Sequence, residues 1–341
     1  MMTAPAPEMT TETDPAMTPL LDLSDVTIAL RQNDRKMVTG VSLSVMPREV
    51  FGIVGESGSG KTLFTRTVFG LHEDTYLAGG TVRFNGRALP LNGYRRAIKK
   101  MLGKEIGYIP QDPYSSLNPS MRVGRQLTEA LYLSKGYPMR SQKAQDAAVA
   151  LLAEVGIPEP ELAFRQYPDQ FSGGMRQRIV IAIALSQDPE LMIADEPTTA
   201  LDAFTQRRIM DLILERSRTR GLAVLLISHN LELLRQSVDR LGVLYGGQLL
   251  NVAATADIGA REIHPYTQAL FDCVPGRDKR LADIASIPGE PVGAGFGTTG
   301  CAFAGRCAFA QDICRSAPLV TNTDRGTGFS ACVLGKGARH G

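Results

Sequence analysis

The stretch Gly55-Glu56-Ser57-Gly58-Ser59-Gly60-Lys61-Thr62 constrains this chain more than any other. The apolar run Val50-Phe51-Gly52-Ile53-Val54 before it reads as a buried strand, and Leu63-Phe64-Thr65-Arg66-Thr67-Val68-Phe69 after it reads as the start of a helix. A glycine-rich turn between strand and helix suits a polyphosphate. Its glycines let backbone N–H groups approach phosphate oxygens with no Cβ in the way, and the helix N-terminus adds the positive end of its dipole. Lys61 brings a cation to the outer phosphates, and the Thr62 hydroxyl is a hard oxygen suited to Mg²⁺. A chance Gly/Ser loop would not fill all these positions in this strand-to-helix setting, so the chain is expected to bind a nucleoside triphosphate.

Polar residues at the ends of later apolar runs extend that expectation to hydrolysis. Leu191-Met192-Ile193-Ala194 leads into Asp195 and Glu196. Acidic turns after strands are common, but downstream of a phosphate loop they have a mechanical logic. Asp195 can hold the Mg²⁺ shell, and Glu196 can reach the water that attacks the terminal phosphate. Leu222-Ala223-Val224-Leu225-Leu226-Ile227 leads to Ser228 and His229. A lone histidine after a strand is more often structural, yet the C-terminal end of a strand is where α/β sheets place their ligands. Ser172-Gly173-Gly174-Met175 precedes the apolar helix Ile179 to Leu185 and forms a second anion site on the same physics as the first. Alone it is weak, because serine caps at helix starts are common.

The bulk properties are those of a globular protein. Of 341 residues, 43% are hydrophobic and 21% charged, and a net charge of +2 gives no argument for nucleic acid. No apolar run approaches the roughly 18 residues that cross a bilayer, and the N-terminus has no signal-peptide pattern. Residues 1–19, rich in Thr, Pro, Ala and Met, are expected to be a disordered leader. Leu21 to Ile28 and Val41 to Val45 alternate apolar with polar, as half-buried antiparallel strands do. Gly79-Gly80 introduces a short strand, Thr81 to Phe84, closed by the Asn85-Gly86 turn. Arg95 to Lys100 reads as a solvated helix face, Ile106 to Ile109 as a strand ending near Gln111, and Val123 to Val155 as helical.

Together these residues resemble the ATP-binding subunits of ABC transporters, over about Leu20 to Val274. The resemblance implies that Gly55 to Thr62 is the Walker A motif, Asp195 the Walker B aspartate and Glu196 the general base. It makes Gln111 the residue that senses Mg²⁺ and the attacking water, and His229 the switch histidine on the γ-phosphate. Ser172 to Met175 would open the signature and Asp202 would lie in the D-loop Ala200-Leu201-Asp202. Two such domains would pair head to tail, each signature closing on the nucleotide held by the other's phosphate loop. The family usually stacks an aromatic residue on adenine where Leu30 stands here, and its signature more often has Gln than Met175. Ser-Gly-Gly-Met-Arg-Gln-Arg is frequent in peptide importers. His264-Pro265-Tyr266-Thr267 and Ile287-Pro288-Gly289-Glu290-Pro291 are similar to the closing element and extension of oligopeptide, dipeptide and nickel importers.

Four of five cysteines, Cys301, Cys307, Cys314 and Cys332, fall in this tail, separated by five, six and seventeen residues. Disulfides are disfavoured because nothing in the sequence directs the chain out of a reducing compartment. Four thiolates in a core-poor tail fit tetrahedral Zn²⁺ or an iron–sulfur cluster, and the resemblance favours a 4Fe–4S cluster. Cys273, at an apolar helix position, reads as core.

The expected fold is α/β. A RecA-like P-loop core (20–275) carries an antiparallel β subdomain and a helical subdomain near 113–187, followed by an extension at 276–341. The expected function is ATP hydrolysis with Mg²⁺, driving an importer for peptides or a related small solute from the cytoplasmic face of the inner membrane; peptide, nickel, opine and sugar are not separated by this sequence. The resemblance supplies the partners: a second ATPase, two permease subunits docking near Gln111 to Asn118, and an extracytoplasmic solute-binding protein. A soluble ABC ATPase uncoupled from transport would need an insertion or basic surface that is absent. A P-loop kinase or GTPase would leave Ser172-Gly173-Gly174 and His229 unexplained.

Overall fold

The computed structural model describes residues 18–198, 201–258, 263–274, 286–297, 299–319 and 328–334. Most of the expected leader, up to residue 17, and Ala200 of the D-loop lie outside these. Strands are β1 (Leu21–Leu30), β2 (Lys36–Val45), β3 (Val50–Val54), β4 (Thr75–Phe84), β5 (Arg87–Leu89), β6 (Ile106–Ile109), β7 (Leu191–Asp195), β8 (Ala223–Ile227), β9 (Arg240–Tyr245), β10 (Gln248–Ala254) and β11 (Phe329–Ser330). Among the described residues they form two sheets. The first is antiparallel, in the order β2-β1-β4-β5. The second runs β11-β10-β9-β3-β8-β7-β6, parallel from β9 to β6 and antiparallel at β10 and β11.

The near-continuous apolar runs of β3, β7 and β8 follow from their central place, because both faces of this sheet are covered. Alternate side chains feed two cores. Phe51, Ile53, Leu225 and Ile227 pack toward the antiparallel sheet with Phe64 of α1 (Lys61–Val68) and Phe69 just beyond it. Val50, Val54, Val224 and Leu226 pack on the other side with Ile179 and Ile181.

Between β5 and β7 lie α2 (Tyr94–Lys99), α3 (Pro113–Ser116), α4 (Val123–Lys135), α5 (Gln142–Glu154), α6 (Pro160–Arg165) and α7 (Gly173–Leu185). Gly136, at φ 69°, ends α4 in the left-handed conformation that favours glycine, and Ser141 caps α5 by accepting from the Ala144 amide. Beyond β7 come α8 (Ala203–Arg220), α9 (Leu231–Ser237), α10 (Pro265–Asp272) and, in the tail, α11 (Asp312–Ser316).

One strand is longer than its pattern suggested. Gly79-Gly80 does not introduce β4 but lies inside it, opposite a register shift between Ser24 and Thr27 of β1. Gly80 has φ 89°, and a Cβ there would stand 2.4 Å from the Asp25 carbonyl oxygen, so the glycine pair marks a bulge within the strand rather than its edge. The Asn85-Gly86 hairpin has both residues at positive φ, as a tight type I′ turn requires.

Packing among the inserted helices rests on a similar close approach. A Cβ at Gly124 of α4 would lie 2.4 Å from the Phe164 ring of α6. Gly124→Ala should therefore destabilise the protein by about 1–3 kcal/mol, the range for overpacking a tight contact. Thermal unfolding checks this, and an unchanged melting temperature would show that the ring yields freely.

Candidate nucleotide site

The glycine-rich loop leaves β3 and enters α1 as its sequence predicts. Gly58 and Gly60 have φ of 78° and 102°, and a Cβ at Gly55 would meet the Leu244 carbonyl oxygen of β9 at 2.1 Å. Only glycine lets the loop lie against β9 and turn into the helix. Lys61 is buried, and its Nζ donates to the carbonyls of Gly55 (2.7 Å) and Glu56 (3.0 Å). Burial lowers its pKa, while Glu196, Asp195 and Glu56 push the other way. The ammonium thus lies at the loop, held by weak neutral acceptors that phosphate oxygens can replace.

Asp195 ends β7 fully buried. Thr62 Oγ1 donates to its Oδ1 at 3.4 Å, while Oδ2 accepts from Arg66 Nε (3.1 Å) and the Tyr108 hydroxyl (3.0 Å). Burial and the nearby Asp195 charge raise the Tyr108 pKa to about 12, so the phenol stays a donor. Sequence reasoning missed Arg66 and Tyr108. Arg66 lies four residues beyond Thr62 and so shares its helix face, whereas Tyr108 had no local signal. Thr62 and Asp195 present hard oxygens to one another, a fit for Mg²⁺, which takes few protein ligands and completes its shell with phosphates and water.

Glu196 follows at φ 49°, a conformation rare for a residue with a side chain. Its Oε2 accepts from Gln111 Nε2 at 3.2 Å and lies 3.2 Å from His229 Nδ1. The three residues follow β6, β7 and β8, whose parallel register brings their C-terminal ends together. Such a cluster can hold a water and accept its proton. Gln111, Glu196 and His229 share one cleft of about 1110 Å³ with Gly55, Glu56, Ser57, Gly58, Gly60, Lys61 and Thr62. Ser59 and Asp195 are not in its lining. Ser59 is buried, its hydroxyl without a hydrogen-bond partner. Leu30 does not line the cleft either; Met37 does. Cys273, expected in a core, is half-buried at the end of α10 and lines the cleft as well.

The second candidate anion site stands apart. Ser172 caps α7, its hydroxyl accepting from the Met175 amide at 3.4 Å. A Cβ on Gly174 would meet Thr205 at 2.7 Å, so this glycine lets α7 approach the start of α8. Asp202 caps α8 by accepting from the Thr205 amide at 3.0 Å. None of Ser172, Gly173, Gly174, Met175 and Asp202 lines the cleft.

Of the tail cysteines, Cys314 is buried and Cys301, Cys307 and Cys332 are half-buried. Burial pushes the Cys301 thiol up to about 12; a backbone hydrogen bond at Phe303 opposes this, and the proximity of Cys307, Cys332 and Cys314 adds to it. The Cys301 amide donates to the Cys314 carbonyl at 2.8 Å, which brings these two residues together. Among the described residues, however, no group of three or more His, Cys, Asp or Glu side chains is placed to hold a metal ion. No helix among them is long and apolar enough to cross a membrane.

Comparison with known proteins matches this geometry. The family described as ABC transporter matches residues 38–199, and the oligopeptide/dipeptide transporter C-terminal region matches 252–314. The chain is 40% identical over 301 residues to the oligopeptide transport ATP-binding protein OppD of Salmonella typhimurium, covering 88% of this chain and 89% of that protein. It is 39% identical over 279 residues to the dipeptide transport ATP-binding protein DppD of Bacillus subtilis, covering 81% and 82%. Among solved structures, the dimeric ATP-binding cassette MJ0796 bound to ADP and Pi matches with a TM-score of 0.60 at 24% identity, over 69% of this chain and 98% of that one, a likeness of fold. The similarity runs through both cassette and tail, and the chain accordingly belongs to the ATP-binding subunits of ABC transporters, in the branch with the oligopeptide/dipeptide transporter C-terminal region.

Proposed function

We propose that this subunit hydrolyses ATP to drive import of peptides, working at the cytoplasmic face of the membrane with two permease subunits, a solute-binding protein and a second ATPase. The observation that carries hydrolysis is the meeting of Gln111, Glu196 and His229 in the cleft that also holds Lys61 and Thr62. Peptides as cargo rest on the names and 39–40% identity of the relatives. In this reading residues 20–275 form the cassette, with a helical subdomain over 113–187, and 276–341 the extension. Gln111 to Asn118, with Tyr114 exposed, is the surface for the permease.

Lys61 leaves the loop carbonyls for the phosphates of ATP. Thr62 and Asp195, with Gln111, would hold Mg²⁺, which would supply charge neutralisation at the phosphates. Glu196 accepts a proton from water as its oxygen bonds to the γ-phosphorus and the bond to the β-γ bridging oxygen breaks. His229, beside Glu196, contacts the γ-phosphate. Ser172 to Met175 lie off their own chain's cleft, which supports their use on the partner's nucleotide.

The tail cysteines are assigned to a 4Fe–4S cluster, with Zn²⁺ the alternative, on the grouping of four cysteines in the tail and the likeness of that tail to the oligopeptide/dipeptide transporter C-terminal region. Since the thiols do not form a ready metal-holding group, ligation requires their side chains to turn toward one point and lose their protons.

Three outcomes are expected. Glu196→Gln should retain ATP binding and lose turnover by about a hundredfold or more; wild-type turnover would remove Glu196 as the base. Ser172→Arg should abolish hydrolysis while the monomer's ATP affinity, read by titration, stays near wild type. Lys61→Ala, the comparison, should lose that affinity, and an equal loss in both would place the two anion devices on one nucleotide. Protein purified without oxygen should carry about four irons per chain if the cluster is present, and one zinc or no metal would replace or remove that assignment.

A further inference from the structure

Glu56 is an odd residue to find in a phosphate loop. It lines the cleft, and its charge acts on Lys61 alongside those of Asp195 and Glu196. An unpaired carboxylate there would repel a polyphosphate and compete with it for the lysine. The tail answers this charge. Arg306 Nη1 donates to Glu56 Oε2 at 2.7 Å and Nη2 to Oε1 at 3.3 Å, a two-pronged pair in which the arginine side chain is only 7% exposed. The guanidinium is held by the carbonyls of Pro288 (2.8 Å) and Ile287 (3.1 Å) and by the Tyr245 hydroxyl (3.2 Å). Those contacts fix its plane against Glu56.

The same tail reaches the loop at a second point. The Ala294 amide donates to the Gly58 carbonyl at 2.9 Å, and Gly293 and Ala294 line the cleft. The tail thus touches the loop on either side of Ser57. Arg306 itself stands between Cys301 and Cys307, just after a short buried helical turn, Ala302–Gly305. That turn is seated by Phe303 against Tyr245 and Tyr266, and by the Ala302 amide on Gln248.

We propose that Arg306 is a positioning residue of the nucleotide site, neutralising Glu56 so that ATP affinity depends on the docked tail. The inference rests on the assignment of the cleft to ATP. Arg306 does not line the cleft and acts through Glu56.

The test is a set of full-length variants titrated with ATP and ADP in the presence of Mg²⁺, with melting temperatures taken without nucleotide. Arg306→Met should weaken ATP binding about tenfold, and ADP less, because the triphosphate carries more charge against the freed carboxylate. Arg306→Lys should recover part of the loss. Glu56→Gln with Arg306→Met should return ATP affinity to within about threefold of wild type, since the charge that needed neutralising is gone. A double variant as weak as Arg306→Met would overturn the proposal, as would unchanged ATP affinity in Arg306→Met. Should Arg306→Met fail to fold, Glu56→Gln alone decides: the proposal expects ATP affinity at or above wild type, and a tenfold loss refutes it. Wild-type protein that binds no ATP would instead refute the underlying nucleotide assignment.

Discussion

The parallel register of β6, β7, β8 and β3 is the constraint on which the site depends. Ile109 pairs with Ala194, Asp195 with Ile227, and Ile227 with Ile53, so four strands end at one level. Each then releases its own polar group: Gln111, Asp195 with Glu196, His229, and the phosphate loop. Side-chain direction alternates along a strand, so a slip of one residue would turn Asp195 toward the opposite face. Burial of both faces fixes that register, because every alternate side chain is committed to one of two cores. Hydrophobic packing far from the chemistry therefore sets positions within the cleft.

Within that frame, charge is balanced by direct contact rather than by solvent. Asp195 has no exposure and divides its oxygens, one facing Thr62 and the other taken by Arg66 and Tyr108. A buried carboxylate needs partners; three donors supply them and fix which oxygen is available. Lys61 is treated alike, with burial opposed by three carboxylates. The positive φ of Glu196 belongs to the same economy of space. It turns the chain at the end of β7 while its amide donates to the Ile227 carbonyl at 2.9 Å, and the side chain faces Gln111 and His229.

The tail has little regular structure, yet it packs on the cassette through specific contacts. Arg35 donates to the Gly295 carbonyl, Gln248 to Gly300, and Phe303 meets Tyr245 edge-on while Tyr266 packs at a tilt against both. The antiparallel addition of β11 to β10 joins it to the large sheet. A segment with so little regular structure gains its order from what it docks against, which places its cysteines and Arg306 under the control of the cassette surface.

Much of the chemistry was legible in the sequence because it is local. The glycines at the loop, the lysine and threonine at its helix, and the carboxylates closing an apolar run are matters of spacing and type, and spacing survives in one dimension. The alternation in β1 and the Asn85-Gly86 turn were legible for the same reason. Gly79-Gly80 was not, since a bulge and a strand start leave the same residues in the sequence and only the register across β1 separates them. Nor could spacing show that Ser59 turns inward, that Tyr108 reaches Asp195, or that Cys273 lines the cleft. The sequence by itself determined which groups can meet a triphosphate. The tertiary structure decided which groups hold those in place, as with Arg306 and Glu56, 250 residues apart in the chain. No periodicity spans that distance; what brings the pair together is the burial of Phe303 and the seat of the tail on β10.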